Sequence, residues 1–339
     1  MTIRALTSYL ETIAPPMYQE EYDNAGLIVG DPNADLKGVL LCLDSTEAIV
    51  DEAIAKNCNL IVAHHPIVFR GLKKITGKNY VERTILNAIK NDIAIYAIHT
   101  NLDNVYQQGV NAKICQKLGL EYTQILSPKK ALKQYAITVP AEQAKIVRNL
   151  MLTAGLAEVN ATNAIDYTAD GSEEQVRLSA VALGNLEGKI RLALEKVDGL
   201  LEINALETPS KDLGAGMIGY LPQPMAELDF LQHVKQTMRA GVVRHTALRG
   251  REVRIVAVCG GSGSFLLGGA IAQGADVLVT ADFKYHEFFD ADGKIIIADI
   301  GHFESEQFTI ELLHEIISKK FSNFALHCTE VSTNPIAYL

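Results

Sequence analysis

Residues 60–69 read Leu-Ile-Val-Ala-His-His-Pro-Ile-Val-Phe, and the reading of the whole chain turns on them. Leu60–Ala63 is an unbroken apolar run. Such a run suits a strand buried on both faces, inside a sheet covered by helices on either side. His64 and His65 follow, and Pro66 confines His65 to extended backbone and withholds a ladder donor. Neighbours in a regular strand point to opposite faces, so an adjacent pair could not serve one site from within it. The strand is therefore expected to end here, with both imidazoles in a loop at its C-terminal edge, where open α/β sheets build their sites. A turn whose two histidines simply bond to backbone is the competing reading.

The same pattern extends outward in both directions. Residues 3–14 predict a helix ended by Pro15-Pro16. Leu27–Val29, Gly38–Leu43 and Ile93–Ile98 predict further short apolar strands, with helices at 46–57, 79–91 and 109–117 between them. The C-terminal third repeats the arrangement. Its strands are Val253–Val258, Val277–Thr280, Lys294–Asp299 and Phe324–His327, and its helices lie near 264–273 and 304–320. The middle differs: a strand at Lys133–Val139, a helix at Ala141–Ala154, strands around 157–168 and 176–184, a helix at 187–196 and a strand at 200–206. That β-α-β-β-α-β order is the order of a ferredoxin-like α+β module. It predicts an inserted domain at 129–208 between an N-terminal lobe, 1–128, and a C-terminal lobe, 209–339. Past Thr208-Pro209-Ser210, the Gly-rich GAGMIGYLP reads as a linker re-entering the main fold.

Bulk properties narrow the function. At 339 residues the chain exceeds one ordinary core, and 48% apolar with 21% charged residues is a folded composition. A net charge of −9, with no basic stripe or interleaved aromatic cluster, argues against nucleic-acid binding. No apolar run reaches the roughly 18–20 residues that span a bilayer, and the N-terminus lacks a signal-peptide pattern. The five cysteines are scattered without CxxC spacing, which points to buried thiols in a reducing cytoplasm.

Two more strand ends offer metal-ligating residues. IYAIHTNLDN (95–104) ends in His99 and Asp103. Asp103 supplies a hard anionic oxygen that complements imidazole at a divalent cation, or else it caps the helix beginning near 109. IIIADIGHFESEQF (295–308) carries His302 and Glu306 four apart, on one helical face if the turn begins at His302. A plain helix start with acidic residues favouring the dipole explains Glu304 and Glu306 but leaves His302 idle. Three histidines with two carboxylates exceed a single tetrahedral site with an open position. They suit two ions about 3.5–4 Å apart, since a carboxylate can bridge. CGGSGSF (259–265) is a turn that could offer backbone N–H groups to a phosphate; the competing reading is glycine present only to turn tightly. In ADFKYHE (281–287), Lys284 could hold an anionic group and His286 could act as acid or base, or both could be solvated loop residues.

Taken together, DNAGLIVGD (23–31), AHHPIVF (63–69), HTNLD (99–103), the GGSG turn, TADFKYHE (280–287), GHFESE (301–306) and STNPIAYL (332–339) resemble the Nif-like (NGG-interacting-factor) dinuclear metal centre proteins, often labelled GTP cyclohydrolase 1 type 2 homologues. The resemblance covers 1–128 and 209–339; the insert looks like the PII- or CutA-like module of longer bacterial members. It implies two α/β/α lobes with metals in the cleft between them. His65 and Asp103 would bind one ion, His64 and His302 the other, and Glu306 would bridge, with His99 beside the metals. It also implies a ring-shaped hexamer. The ions could be Zn, Mn, Fe or Ni, since mixed ligation does not choose among them. The function expected from all this is a metal-dependent hydrolase, with His99, Lys284 and His286 serving catalysis, acting on a nucleotide-like or phosphorylated small molecule. A non-enzymatic metal-binding scaffold, chaperone or regulatory protein is the rival.

Overall fold

The computed structural model describes residues 1–168 and 171–339, with side chains outside 165–173. The chain forms two compact units, Met1–Ser127 with Asp212–Leu339, and Pro128–Lys211. No described helix is long and apolar enough to cross a membrane.

The larger unit holds two sheets. In the first the strand order is Gly26–Val29, Ala94–Ala97, Leu60–Ala63, Gly38–Cys42, Ala325–Cys328, parallel throughout except for the antiparallel edge strand Gly26–Val29. The second runs Arg244–His245, Ile296–Asp299, Val277–Ala281, Glu252–Ser262, Gly214–Ala226, Glu121–Pro128, with a parallel heart of three strands. The period-2 alternation sorts each strand between two cores. Leu60 and Val62 join a core shared with Val256, Val258, Val277 and Val279 of the second sheet; Ile61 and Ala63 face away, toward the helices Glu47–Ala55 and Tyr80–Lys90. Between the sheets lie apolar faces of the helices Ile3–Ile13, Val110–Leu118, Glu227–Thr237 and Thr309–Lys320, contributing Leu6, Ile114, Phe230 and Leu313. Both sheets are thus covered on both faces, as the unbroken apolar runs predict.

Two segments depart from the expectation. The Gly-rich stretch is a strand, Gly214–Ala226, lying between Glu252–Ser262 and Glu121–Pro128. Its glycines serve close packing: a Cβ on Gly219 would come within 2.8 Å of Thr123, and one on Gly216 within 2.6 Å of Leu266. The C-terminal strand Ala325–Cys328 pairs with Gly38–Cys42 of the first sheet, not with its neighbours in sequence. Each sheet therefore takes an edge strand from the other end of the chain.

In the smaller unit the elements run strand, helix, strand, strand, helix, strand, with sheet order Asn160–Thr168, Gly171–Leu183, Leu132–Pro140, Leu201–Ala205 and antiparallel pairing throughout. Tyr135, Ile137 and Val139 of the inner strand pack with Val147, Met151 and Ile190 of the helices.

Candidate metal centre

Both sheets of the larger unit present the C-terminal ends of parallel strands to one cavity of about 960 Å³. Leu60–Ala63 ends as predicted, yet the backbone N–H groups of His64 and His65 still donate to the carbonyls of Cys42 and Leu43, at 3.1 and 2.8 Å. The pair is therefore held as firmly as a strand while its rings, tilted 46° to each other with centroids 4.9 Å apart, turn toward one place. Asp103 does not cap the following helix, whose N-cap is Gly109. It sits on a one-turn helix of its own, Thr100–Asp103, opened by His99. His302 begins the short helix His302–Glu306, so the i, i+4 spacing does place His302 and Glu306 on one face.

Glu306 organises the cluster. Its Oε2 lies 2.9 Å from His65 Nε2 and 3.1 Å from His302 Nε2, while Oε1 lies 3.7 Å from His64 Nε2. His64 Nε2 is in turn 3.6 Å from Asp103 Oδ1. One oxygen thus faces the pair His65 and His302, and the other faces His64 and Asp103. Two sets of donors, His65–His302–Glu306 and His64–Asp103–Glu306, each fit within 4.8 Å; His99 closes a third with His64 and His65. This division differs from the one the resemblance implies, in which His65 goes with Asp103 and His64 with His302.

Every imidazole is oriented from behind. Asp44 Oδ1 accepts from His65 Nδ1 at 2.8 Å, Asp282 Oδ2 from His302 Nδ1 at 2.6 Å, Asp23 Oδ1 from His99 Nδ1 at 2.8 Å, and the carbonyl of Ile98 from His64 Nδ1 at 2.8 Å. With Nδ1 occupied, Nε2 of each points toward the centre, where on losing any proton it could serve a metal as imidazole ligands do. None of these three aspartates was picked out as a site residue from sequence. Two had the same signal as the ligands: Asp44 and Asp282 follow the ends of Gly38–Cys42 and Val277–Ala281.

The electrostatics fit a cluster that could hold cations. His64 is fully buried, which pushes its imidazolium form down. Burial also opposes the His65 and His302 cations, but carboxylates on both nitrogens outweigh it, raising them to about 10 and 11. Burial and the nearby Glu306 hold the Asp103 carboxyl well above its ordinary range. Against its own burial, Glu306 is held well below that range by His302, His64 and His65. Two buried atoms, His64 Nε2 and Asp103 Oδ1, have no hydrogen-bond partner. An unpaired lone pair and a buried carboxylate oxygen 3.6 Å apart are costly unless something positive lies between them. The donor set, imidazole nitrogens with carboxylate oxygens, suits a borderline divalent ion.

The remaining candidates are placed elsewhere or used otherwise. Lys284 and His286 are exposed and do not line the cavity; the Lys284 N–H donates to Glu287 Oε2 at 2.8 Å. The Gly-rich turn does reach the site, with its first two glycine N–H groups already bonded. Gly260 N–H donates to Asn111 Oδ1 and Gly261 N–H to Ser305 Oγ, both at 2.9 Å. Gly261 has φ +64°, and a Cβ there would come within 2.5 Å of Glu306 Oε1, so glycine is required where the turn presses on the carboxylate. The C-terminal segment also lines the cavity, with Thr333 Oγ1 donating to Asp44 Oδ2 at 2.7 Å.

The family model Duf34/NIF3 (NGG1p interacting factor 3) matches residues 1–335. The chain belongs to the DUF34/NIF3 family. A protein of Staphylococcus epidermidis named GTP cyclohydrolase 1 type 2 homolog is 31% identical, with 100% of each chain covered. Its namesake from Bacillus subtilis is 32% identical over 97% of this chain and 96% of its own. Among solved structures, a Bacillus cereus protein related to NIF3 superposes with a TM-score of 0.84 at 32% identity, covering 100% of this chain and 99% of that one.

Proposed function

We propose that this NIF3-family chain binds two divalent metal ions and uses them for hydrolysis of a small molecule. The observation that carries the reading is the division of Glu306, one oxygen to His65 and His302 and the other to His64 and Asp103. A carboxylate so placed can bridge two ions, and the five donors named from sequence would all be used. Bound divalent ions supply Lewis acidity and bring water within reach of deprotonation near neutral pH. The chain's own residues have separable tasks. Asp44 and Asp282 fix the ring planes of His65 and His302, and Glu306 holds the two halves of the site together. His99, whose ring meets those of both His64 and His65 edge-on at 5.4 and 5.3 Å, is backed by Asp23 and carries protons at Nε2. The smaller unit, with its β-α-β-β-α-β order, we read as a ferredoxin-like insert, and a hexamer remains the family expectation for assembly.

The test is metal analysis of the purified chain after loading with Mn²⁺, Zn²⁺ or Fe²⁺, followed by a hydrolysis screen. Two ions per chain are expected, with turnover abolished in Glu306→Ala while the fold persists. Saturation at one ion or none would refute the dinuclear site. His99→Gln should keep both ions yet lose turnover, separating proton transfer from ligation.

A further inference from the structure

What lines the rest of the cavity limits what can enter it. Phe69 and Tyr80 come from the segment after Leu60–Ala63 of the first sheet; Phe265 and Phe303 follow strands of the second. Phe69, Tyr80 and Phe265 are 52%, 58% and 68% exposed, large ring faces left in water along the cavity lining. Phe69 reaches the edge of the cluster, its ring centroid 5.7 Å from that of His99 with the planes at 84°.

Charge adds an independent restriction. No lysine or arginine is among the described residues lining the cavity, whereas Glu20, Asp44, Glu47, Asp103 and Glu306 are. Even two divalent ions would bring four positive charges against those five carboxylates. Recognition of phosphate normally uses an arginine fork, a lysine or free backbone N–H groups. The first two are absent here, and the N–H groups of Gly260 and Gly261 are already spent on Asn111 and Ser305. The phosphorylated substrate expected from sequence thus meets no lysine or arginine among the described residues lining this cavity, and an acidic set in their place.

Resting on the metal-site reading for its location, we propose that the cavity binds an uncharged or cationic planar heteroaromatic molecule, of the nucleobase or nucleoside class and without phosphate, stacked on Phe69 and Phe265 beside the metal ligands. Aromatic faces accept any flat π-system, and an acidic, largely apolar cavity favours an unphosphorylated one. Guanosine and GTP are suitable probes, since they share a base and differ in phosphate. Calorimetric titration of the full chain, metal-free and metal-loaded, should show guanosine binding at least ten-fold more tightly than GTP in both forms. Phe69→Ala and Phe265→Ala should each weaken guanosine binding about 5- to 100-fold, with metal per chain and melting temperature unchanged, since both rings are exposed. Tighter binding of GTP in either form, no guanosine binding, or guanosine binding indifferent to both substitutions would overturn the proposal. Failure to take up metal would instead defeat the metal reading while leaving the guanosine–GTP comparison standing.

Discussion

The two units of this chain treat buried polarity in opposite ways. Among the described residues of Pro128–Lys211, Ser210 is the single buried polar side chain, and the core is Tyr135, Ile137, Val139, Met151 and their apolar neighbours. Its charges pair near the surface, Arg177 with Glu202 and Lys133 with Glu187. The larger unit buries His64, Glu306 and Glu304 almost completely and leaves His64 Nε2 and Asp103 Oδ1 unpartnered. A fold free to choose would bury aliphatic groups there, because desolvating charge costs several kcal/mol per ion unless it is compensated. One unit is a packed module, and the other carries the buried polar cluster proposed to hold metal.

The largest test of that contrast removes the burden without changing shape. In Asp103→Asn, a carboxyl that burial and Glu306 push well above its ordinary range becomes an isosteric amide. The metal-free variant should melt within about 1 kcal/mol of the metal-free wild type. Its gain on adding metal should collapse, where the wild type gains about 4 kcal/mol per ion at a thousand-fold excess over Kd. Calorimetry with and without Mn²⁺ or Zn²⁺ reads both quantities. An undiminished metal-dependent gain in Asp103→Asn would mean that this carboxylate is not a ligand.

The counterpart in the smaller unit is Ile137→Ala. It empties a fully packed position and should cost about 2–5 kcal/mol. Metal per chain, measured on the folded protein, should not change. If it does fall, the two units are coupled and the contrast is not one of separate roles. An intermediate effect is expected from the orienting aspartates. Asp44→Asn and Asp282→Asn leave all five proposed ligands in place but loosen the His65 and His302 rings. Metal affinity should drop about 10- to 100-fold, read by competition with a chelating dye, while turnover at saturating metal is largely retained.

How far the sequence already spoke can be judged from the same residues. The strands were legible because a sheet covered on both faces needs unbroken apolar runs, and Leu60–Ala63 or Val277–Thr280 can be little else. The ligands stood out because they follow those runs directly. What stayed hidden was long-range. Whether Glu306 turns one oxygen to His65 and the other to His64 depends on how two sheets meet, and no spacing encodes that. Asp44 and Asp282 follow strands in the same way, but a single aspartate in a loop has too many other uses to be singled out. The strand Gly214–Ala226 reads as a linker because its glycines suggest irregular chain, whereas they let Thr123 and Leu266 approach.

The smallest effect concerns how the C-terminal segment is tethered, a device with no counterpart in the packed module. Glu52, on the helix Glu47–Ala55, accepts from the Thr329 hydroxyl, from the Glu330 N–H at 2.9 Å and from Lys56 at 2.9 Å. Thr329 and Glu330 lie just past the strand Ala325–Cys328, on the way to Thr333 and its bond to Asp44. Burial alone would raise the Glu52 carboxyl, but the three donors outweigh it and hold it below its ordinary value. A group whose pKa is depressed by folding contributes stability above its ordinary pKa and loses it as pH falls through the folded one. Glu52→Gln should therefore cost about 1 kcal/mol near neutral pH, the low end for bonds to a charged group because water reaches part of this one. The gap between wild type and variant should close as pH drops below the ordinary carboxylate range. Hydrogen exchange at Thr329 and Glu330 should quicken in the variant at neutral pH, while amides of Leu132–Pro140 keep their wild-type rates. A gap that persists unchanged at acid pH would show that shape, not charge, fastens the segment.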